Sequence, residues 1–401
     1  MKRVLFICGD LNPLDLGGAE VHIVEVIKRL AERGYKIDVF VGVSDAIKEI
    51  FNHKNISVHT VQYKQVRNLY SLFYARAALK EIRKFLRKNK IDILHSKQTL
   101  PQGYVAAKLK REFKIPLYQT IQNPLAYKEE MVIRGGFMKI FSRLWLMLAE
   151  RWVKFAMKNT DICGCVSTYS EGKAIMLGAK KTMIVPNGVD TEIFHPAAQG
   201  HGVFLAQSNK SFCDSKTPYG IVDGYKVVTT STLIPRNGID TLIRAFSKVA
   251  TEFPEATLAI AGEGPMEDEL RSLAKTLGVA NSVKFLGTLA HKDIPGLLRG
   301  SNLFVRPSRF EGFGVSFIEA MACGIPVITC PSGGIKDFVV DGETGIFVEP
   351  DQPDSLANAI ISVFTDRGKL LNLKRNALAM VRERYGWEKI VDKVEEGYGG
   401  R

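Results

Sequence analysis

Short apolar runs alternate with stretches of helical periodicity along the whole chain. Residues 4–8 are apolar and stop at Gly9-Asp10; after a loop, Val21, Val24, Ile27 and Leu30 return at helical spacing. Residues 37–41, 91–94, 117–121, 161–166 and 183–185 continue this first series of strands. A second series follows at 226–230, 257–261, 283–286, 303–306 and 326–330. Strand and helix in alternation predict parallel sheets covered on both faces. Two such series predict an α/β protein with two doubly wound, Rossmann-like domains facing each other.

Turn signals at Asn187-Gly188 and His195-Pro196 close the first series. Residues 197–224 have little periodicity and read as a linker. The expected domains are therefore 1–196 and 225–385. The tail 386–401 holds one amphipathic segment (Trp387, Ile390, Val391, Val394) and is expected to return to the first domain. At 401 residues with 46% hydrophobic and 24% charged, the chain is too apolar for disorder and long enough for two cores. The longest apolar run in its middle, 144–149, is far short of the ~20 residues that cross a bilayer. The N-terminus resembles a secretory leader only in its charged start, and a buried first strand explains it better. The six cysteines (8, 163, 165, 213, 323 and 330) have no zinc-like or redox spacing, as expected of reduced core thiols in a cytoplasmic protein.

The densest chemistry lies in Pro307-Ser308-Arg309-Phe310-Glu311-Gly312-Phe313-Gly314. A helix-forming run over 315–323 follows, closed by Gly324 and Pro326. The glycines permit a sharp turn and a close approach of backbone to a ligand. Glu311 then precedes a helix start and Glu319 lies about one turn inside it. A helix N-terminus offers unpaired N–H groups and about half a positive charge, suited to phosphate oxygens. Carboxylates beside it can accept hydrogen bonds from sugar and ribose hydroxyls. Two Glu at this spacing are common on solvated helices; the frame of Gly-Phe-Gly before and Ala-Met-Ala-Cys-Gly-Ile-Pro after makes the pattern specific.

Over nearly its whole length the chain resembles the retaining GT-B glycosyltransferases of the group 1, or family four, type. The resemblance rests on Glu311 with Glu319, on Gly17-Gly18-Ala19-Glu20, and on Ile184-Val185-Pro186-Asn187-Gly188-Val189-Asp190 with Phe194. It extends to Gly262-Glu263-Gly264-Pro265, Phe285-Leu286-Gly287 and Asp341-Gly342-Glu343-Thr344-Gly345. It implies two Rossmann-like domains across a cleft, the second binding a nucleotide-sugar and the first an acceptor. Glu311 would contact the donor sugar and Glu319 the ribose. The backbone of Gly312, Phe313, Gly314 and Val315 would lie along sugar and diphosphate. Gly17 and Gly18 would approach the diphosphate, and Gly262, Gly264 and Gly287 would lie near the nucleotide. By spacing alone, Gly17-Gly18 is equally an ordinary strand–helix turn. Gly262-x-Gly264 is not the dinucleotide fingerprint, because Glu267 stands where a third glycine belongs, and no P-loop sequence occurs.

Two departures from the family pattern stand out. Relatives usually carry an Arg and a Lys after the first strand of the second domain, neutralising the leaving diphosphate. Here Thr232 replaces the Arg, and Asn237 holds the Lys position with Arg236 one place earlier. Arg236 is expected to take the phosphate role, with Arg306 or Arg309 supplying a second charge; the other reading makes these solvated surface arginines. In Thr120-Ile121-Gln122-Asn123, Gln122 stands where many relatives have His. An amide can hydrogen-bond hydroxyls but takes no proton near neutral pH, which excludes a general base there. His95 also matches a family His, at the rim or in the core. Glu311, Arg236 and Gln122 form the expected catalytic set.

Transfer at an anomeric carbon rests mainly on electrostatic stabilisation of the leaving group. The resemblance implies retention by same-face attack, with the donor phosphate as base. Glu311 and Glu319 fit hydroxyl acceptors better than a glycosidase pair. No D-x-D sequence occurs, matching metal-independent GT-B enzymes; no metal and no cofactor beyond the nucleotide-sugar co-substrate are expected.

The formal charge of +13 is uneven. Residues 1–200 hold 32 Lys and Arg against 18 Asp and Glu, whereas 201–401 hold 23 against 24. Residues 64–90 carry nine basic side chains and one Glu, and 134–158 interleave aromatics with Arg and Lys at helical spacing. Such helices can meet an anionic membrane surface, or can pack an apolar stripe on the sheet and solvate their charges. The expected placement is cytoplasmic and peripheral on the inner face of the plasma membrane. The expected partner is a glycan or lipid-linked acceptor of a hexose, in cell-envelope polysaccharide or glycolipid synthesis. No nucleic-acid module accompanies the charge, so nucleic acid is not an expected partner. The alternatives are a sugar-nucleotide epimerase or hydrolase of GT-B fold and a non-catalytic nucleotide-sugar-binding protein.

Overall fold

The computed structural model describes residues 2–11, 17–42, 47–64, 70–122, 139–197 and 224–399. The chain divides into two units, Met1–Gly188 with Trp387–Arg401, and Val189–Gly386.

In the first unit, seven strands pair in parallel: β1 (Arg3–Gly9), β2 (Lys36–Gly42), β3 (Ile56–Val61), β4 (Ile93–Lys97), β5 (Leu117–Ile121), β6 (Ile162–Cys165) and β7 (Thr182–Ile184). Their order is β3-β2-β1-β4-β5-β6-β7. β1 is buried on both faces, as a central parallel strand must be. Its side chains alternate between two cores. Val4 and Phe6 meet Ile23 and Ile27 of the helix Gly18–Glu32 on one side, while Leu5 and Ile7 meet Ile82, Leu94 and Val105 on the other. The edge strand β3 escapes the sequence pattern because 56–61 mixes polar with apolar residues and is only half-buried.

The tail returns to this unit. Trp387, Ile390, Val391 and Val394 of the helix Trp387–Gly397 enter the core beside Gly18–Glu32. Arg33 ties the two helices through Glu388, Asp392 and Glu395 at 2.5, 2.7 and 2.5 Å. A Cβ on Gly188 would lie 2.6 Å from the Trp387 ring, so only glycine admits the indole there.

The second unit carries a six-stranded parallel sheet: β8 (Lys226–Thr230), β9 (Thr257–Ala261), β10 (Val283–Gly287), β11 (Leu303–Arg306), β12 (Val327–Thr329) and β13 (Ile346–Phe347). Their order is β10-β9-β8-β11-β12-β13. Val227, Leu242, Phe246, Leu258, Ile328 and Ile360 belong to its core. β13, two residues at an edge, left no sequence signal. Residues 189–196 group with this unit rather than with the first: Phe194 is buried, and Arg299 Nη1 donates to the carbonyls of Ile193 and His195 at 3.3 and 3.4 Å. Most of the expected linker, 198–223, lies outside the described residues, as does Cys213.

Each sheet reverses its winding once, between β1 and β4 and between β8 and β11. Open α/β sheets take ligands at the carboxyl ends of strands at such switch points. The other five cysteines are buried free thiols. Burial pushes Cys8, Cys163, Cys323 and Cys330 up to about 12, so they are inert.

Candidate functional site

At the switch point of the second unit, the loop after β11 is built on one buried arginine. Arg306 Nη2 donates to Glu311 Oε2 at 2.7 Å. Nη1 donates to the Thr230 carbonyl at the end of β8 (3.0 Å) and to Ser316 Oγ (2.8 Å), and Nε donates to Ser308 Oγ (3.1 Å). Its guanidinium lies 4.6 Å from the centre of the Phe317 ring. Burial lowers its pKa from the usual arginine value, and the Glu311 carboxylate opposes that shift. Arg306 thus fixes Glu311 in front of the helix Val315–Ala322.

Gly314 caps that helix at φ +96, and no side chain caps it. The Phe313 ring turns into the core against Phe338 and Tyr385, leaving the backbone of 312–315 to line the turn. Gly333, at φ +53, lies so close to the loop that a Cβ would sit 1.8 Å from the Glu311 carbonyl. Glu319, one turn into the helix, is nearly buried and bonds His291 Nε2 through Oε1 at 2.8 Å. The half-exposed His291 packs on Phe194, with ring centres 5.1 Å apart. Sequence reasoning missed His291, because nothing near it in sequence marks its pairing with Glu319.

The loops after β8, β9 and β10 approach by glycine contacts. A Cβ on Gly262 (φ +130) would lie 1.9 Å from the Ser231 carbonyl, and one on Gly264 would lie 2.5 Å from that of Leu233. Gly262 N–H donates to the Gly287 carbonyl at 2.8 Å, and Glu263 Oε1 accepts from Thr288 N–H at 3.1 Å. Asn237 turns its amide inward, donating Nδ2 to the Thr232 carbonyl at 2.7 Å, so it holds the turn and does not project as a lysine would. Arg236 is exposed on the same turn and is near enough to Arg306 to disfavour its charge. Arg309, expected as a compensating cation, is engaged by two carboxylates: Asp240 at 2.8 Å and Asp351 at 2.6 Å. It also donates to the Pro235 carbonyl. The hydrogen bond to Asp240 raises its pKa above the usual arginine value. Its charge is answered locally, which makes it a brace between the 235–238 turn and the 307–314 loop.

In the first unit, Gly17 precedes and Gly18 opens the helix Gly18–Glu32, in a turn whose Glu20 pairs with the buried Lys97 at the end of β4. His95 is fully buried, bonding Tyr398 Oη (2.5 Å) and Thr120 Oγ1 (2.7 Å), so it is a core residue. Burial holds its pKa well below 6.5. Gln122, just after β5, is buried and paired with Asn187. Among the described residues no group of three or more His, Cys, Asp or Glu could hold a metal ion, and no helix is long and apolar enough to cross a membrane.

Residues 215–380 match the family model described as glycosyl transferases group 1, and residues 16–193 match glycosyltransferase family 4. The GDP-mannose-dependent alpha-(1-6)-phosphatidylinositol monomannoside mannosyltransferase of Mycolicibacterium smegmatis is 30% identical over 302 residues, 70% of this chain and 74% of that protein. An uncharacterized glycosyltransferase of Methanocaldococcus jannaschii is 24% identical over 384 residues, 96% of this chain and 94% of its own. Anabaena HepE, solved in complex with UDP and glucose, superposes with a TM-score of 0.75 at 22% identity over 100% of both chains. With its two parallel doubly wound sheets and these matches, the chain belongs to the group 1 glycosyltransferases of GT-B fold.

Proposed function

We propose that this chain moves a hexose from a nucleoside-diphosphate sugar to a glycan or lipid-linked acceptor, with retention and without a metal, in cell-envelope polysaccharide or glycolipid synthesis. The observation that carries the reading is the Arg306–Glu311 pair set before a glycine-capped helix that bears Glu319. The first turn of that helix leaves N–H groups without intrahelical partners, suited to the diphosphate. Glu311 Oε2 is held by Arg306, and Oε1 accepts a hydroxyl of the transferred hexose. Glu319 takes a ribose hydroxyl beside His291. Arg236 stabilises the charge that grows on the leaving diphosphate. The acceptor oxygen bonds the anomeric carbon on the face that the phosphate oxygen leaves, and its proton passes to that phosphate oxygen. No protein base is needed, and Gln122 could not be one.

Relatives are named for GDP-mannose and solved with UDP, so GDP-mannose and UDP-glucose are the donors to try. Release of GDP or UDP is followed with and without a panel of glycan and lipid acceptors. Release that depends on acceptor supports transfer. Equal release without acceptor supports the epimerase or hydrolase reading, and binding without release a non-catalytic binder.

We further propose that the acceptor side works at an anionic inner membrane surface through the basic residues of the segments 64–90 and 134–158. A groove of about 550 Å³ supports this; it is lined by Tyr104, Lys108, Met147, Leu148, Arg151 and Trp152. Tyr104 stacks on Trp152 at 4.1 Å, with Met147 and Leu148 exposed beside the two cations. Residues 65–69 and 123–138 lie outside the described residues.

A further inference from the structure

Gln122 and Asn187 exchange two hydrogen bonds in a buried site of the first unit. Gln122 Nε2 donates to Asn187 Oδ1 at 2.7 Å, and Asn187 Nδ2 donates to Gln122 Oε1 at 3.1 Å. Both side chains are at least nine-tenths buried. Rotating the Gln122 amide alone would set oxygen against oxygen and nitrogen against nitrogen, so the pair fixes its plane. Each amide commits one N–H and one lone pair to the other; Gln122 keeps one N–H and one lone pair for something else. Gln122 directly follows β5, at the carboxyl edge where ligands of such sheets gather. Asn187 is fixed in turn from behind. Val185 N–H continues the ladder to the Cys165 carbonyl at 2.8 Å, Gly188 lies against the Trp387 ring, and Trp387 meets the His22 ring edge-on at 5.8 Å.

We propose that Asn187 is a positioning residue, which locks the Gln122 amide so that its remaining N–H is presented to a hydroxyl oxygen of a sugar substrate. This rests on the transferase reading above. The residue that stands where relatives carry His then has a defined role, in which a neutral donor orients a hydroxyl whatever the pH. His22 is a titratable group beside Asn187; burial lowers it to about 4, against the opposing contact with the Asn187 amide, so in the wild-type chain it stays neutral through the working range.

The test uses the full chain with Gln122→Met, Asn187→Leu, the double variant and Asn187→Asp. The readouts are GDP or UDP release from GDP-mannose and UDP-glucose, and the melting temperature. Each single change is expected to lower turnover about tenfold, the scale of one lost hydrogen bond in a site, with GDP or UDP affinity unchanged. The double variant should be no slower than either single one. Asn187→Asp should recover turnover relative to wild type as pH falls from about 8 to about 6. This variant is made in a His22→Leu background, so that no imidazole competes for the proton; a buried carboxyl then has a raised pKa, and once protonated it again donates to Gln122 Oε1. Full turnover in Asn187→Leu, losses that multiply in the double variant, or an Asn187→Asp profile parallel to wild type overturns the proposal. If the wild-type chain releases neither nucleotide, the transferase reading fails with those donors, and the lock is judged by melting temperature. Non-additive losses sustain the lock; additive losses refute it.

Discussion

Single residues decide where Glu311 stands, the carboxylate proposed to meet the sugar. Gly333 shows this most sharply, since any Cβ there collides with the Glu311 carbonyl and its φ of +53 disfavours other residues. Gly333→Ala should cost more than about 1 kcal/mol of stability, as incompatible backbone sites do, and should depress transfer beyond the loss of folded protein. Denaturant midpoints and turnover on the same preparation separate the two. Arg306→Met removes the buried guanidinium that holds the partly exposed Glu311 and should destabilise the second unit by about 1.5–3 kcal/mol, the scale of a hydrogen bond to a charged group. A melting temperature equal to wild type would show that Glu311 is held by something else. His22 gives a pH dependence with a definite sign. Unfolded, it takes a proton below about pH 6.5; folded, burial delays this to about 4. Its contribution is present above about pH 6.5 and is lost as pH falls toward 4, on the order of 3 kcal/mol in all. Urea midpoints of His22→Leu should therefore fall less steeply than wild type across that window. The placement of Glu311 before the helix and of Glu319 one turn inside it was legible because glycines and a helix signal frame them; Arg306, expected as a second phosphate charge or a solvated side chain, is instead buried against Glu311. His291 and Asp240 were not legible, because a long-range partner leaves no mark on its neighbours in sequence.

At the scale of elements, buried strands and amphipathic helices announced themselves. The runs at 4–8, 117–121 and 303–306 lie in strands because an apolar run of that length can be satisfied only between two helical layers. β3 and β13 were lost because edge strands need no such run. The brace of Arg309 on Asp240 and Asp351 was also invisible, being a choice among nearby charges that only packing makes. The helix Trp387–Gly397 is where one element is expected to matter most to another. Ile390 is fully buried against the helix Gly18–Glu32 core, so Ile390→Ala should cost about 2–5 kcal/mol. Because the same helix carries Trp387 against Gly188, the change should also disturb Asn187. A drop in melting temperature with unaltered turnover per folded molecule would separate the packing role from the site.

For the whole molecule, the two units carry different electrostatic characters on similar sheets. The excess of Lys and Arg in residues 1–200 should draw the chain to anionic vesicles at low salt, and the binding should weaken as salt screens it. Sedimentation with neutral and anionic vesicles checks this; equal binding to both would remove the membrane reading. The central claim, however, concerns the second unit: the glycine-capped helix after Glu311 receives a nucleoside diphosphate, with Glu319 on its ribose. Calorimetric titration of the full chain with UDP and GDP, beside Glu319→Ala and Arg236→Ala, tests it most directly. The expected result is one-to-one binding of at least one nucleotide, weakened about tenfold or more in each variant, since each loses a charged hydrogen-bond partner. Undiminished affinity in both variants, or no binding of either nucleotide, would contradict it.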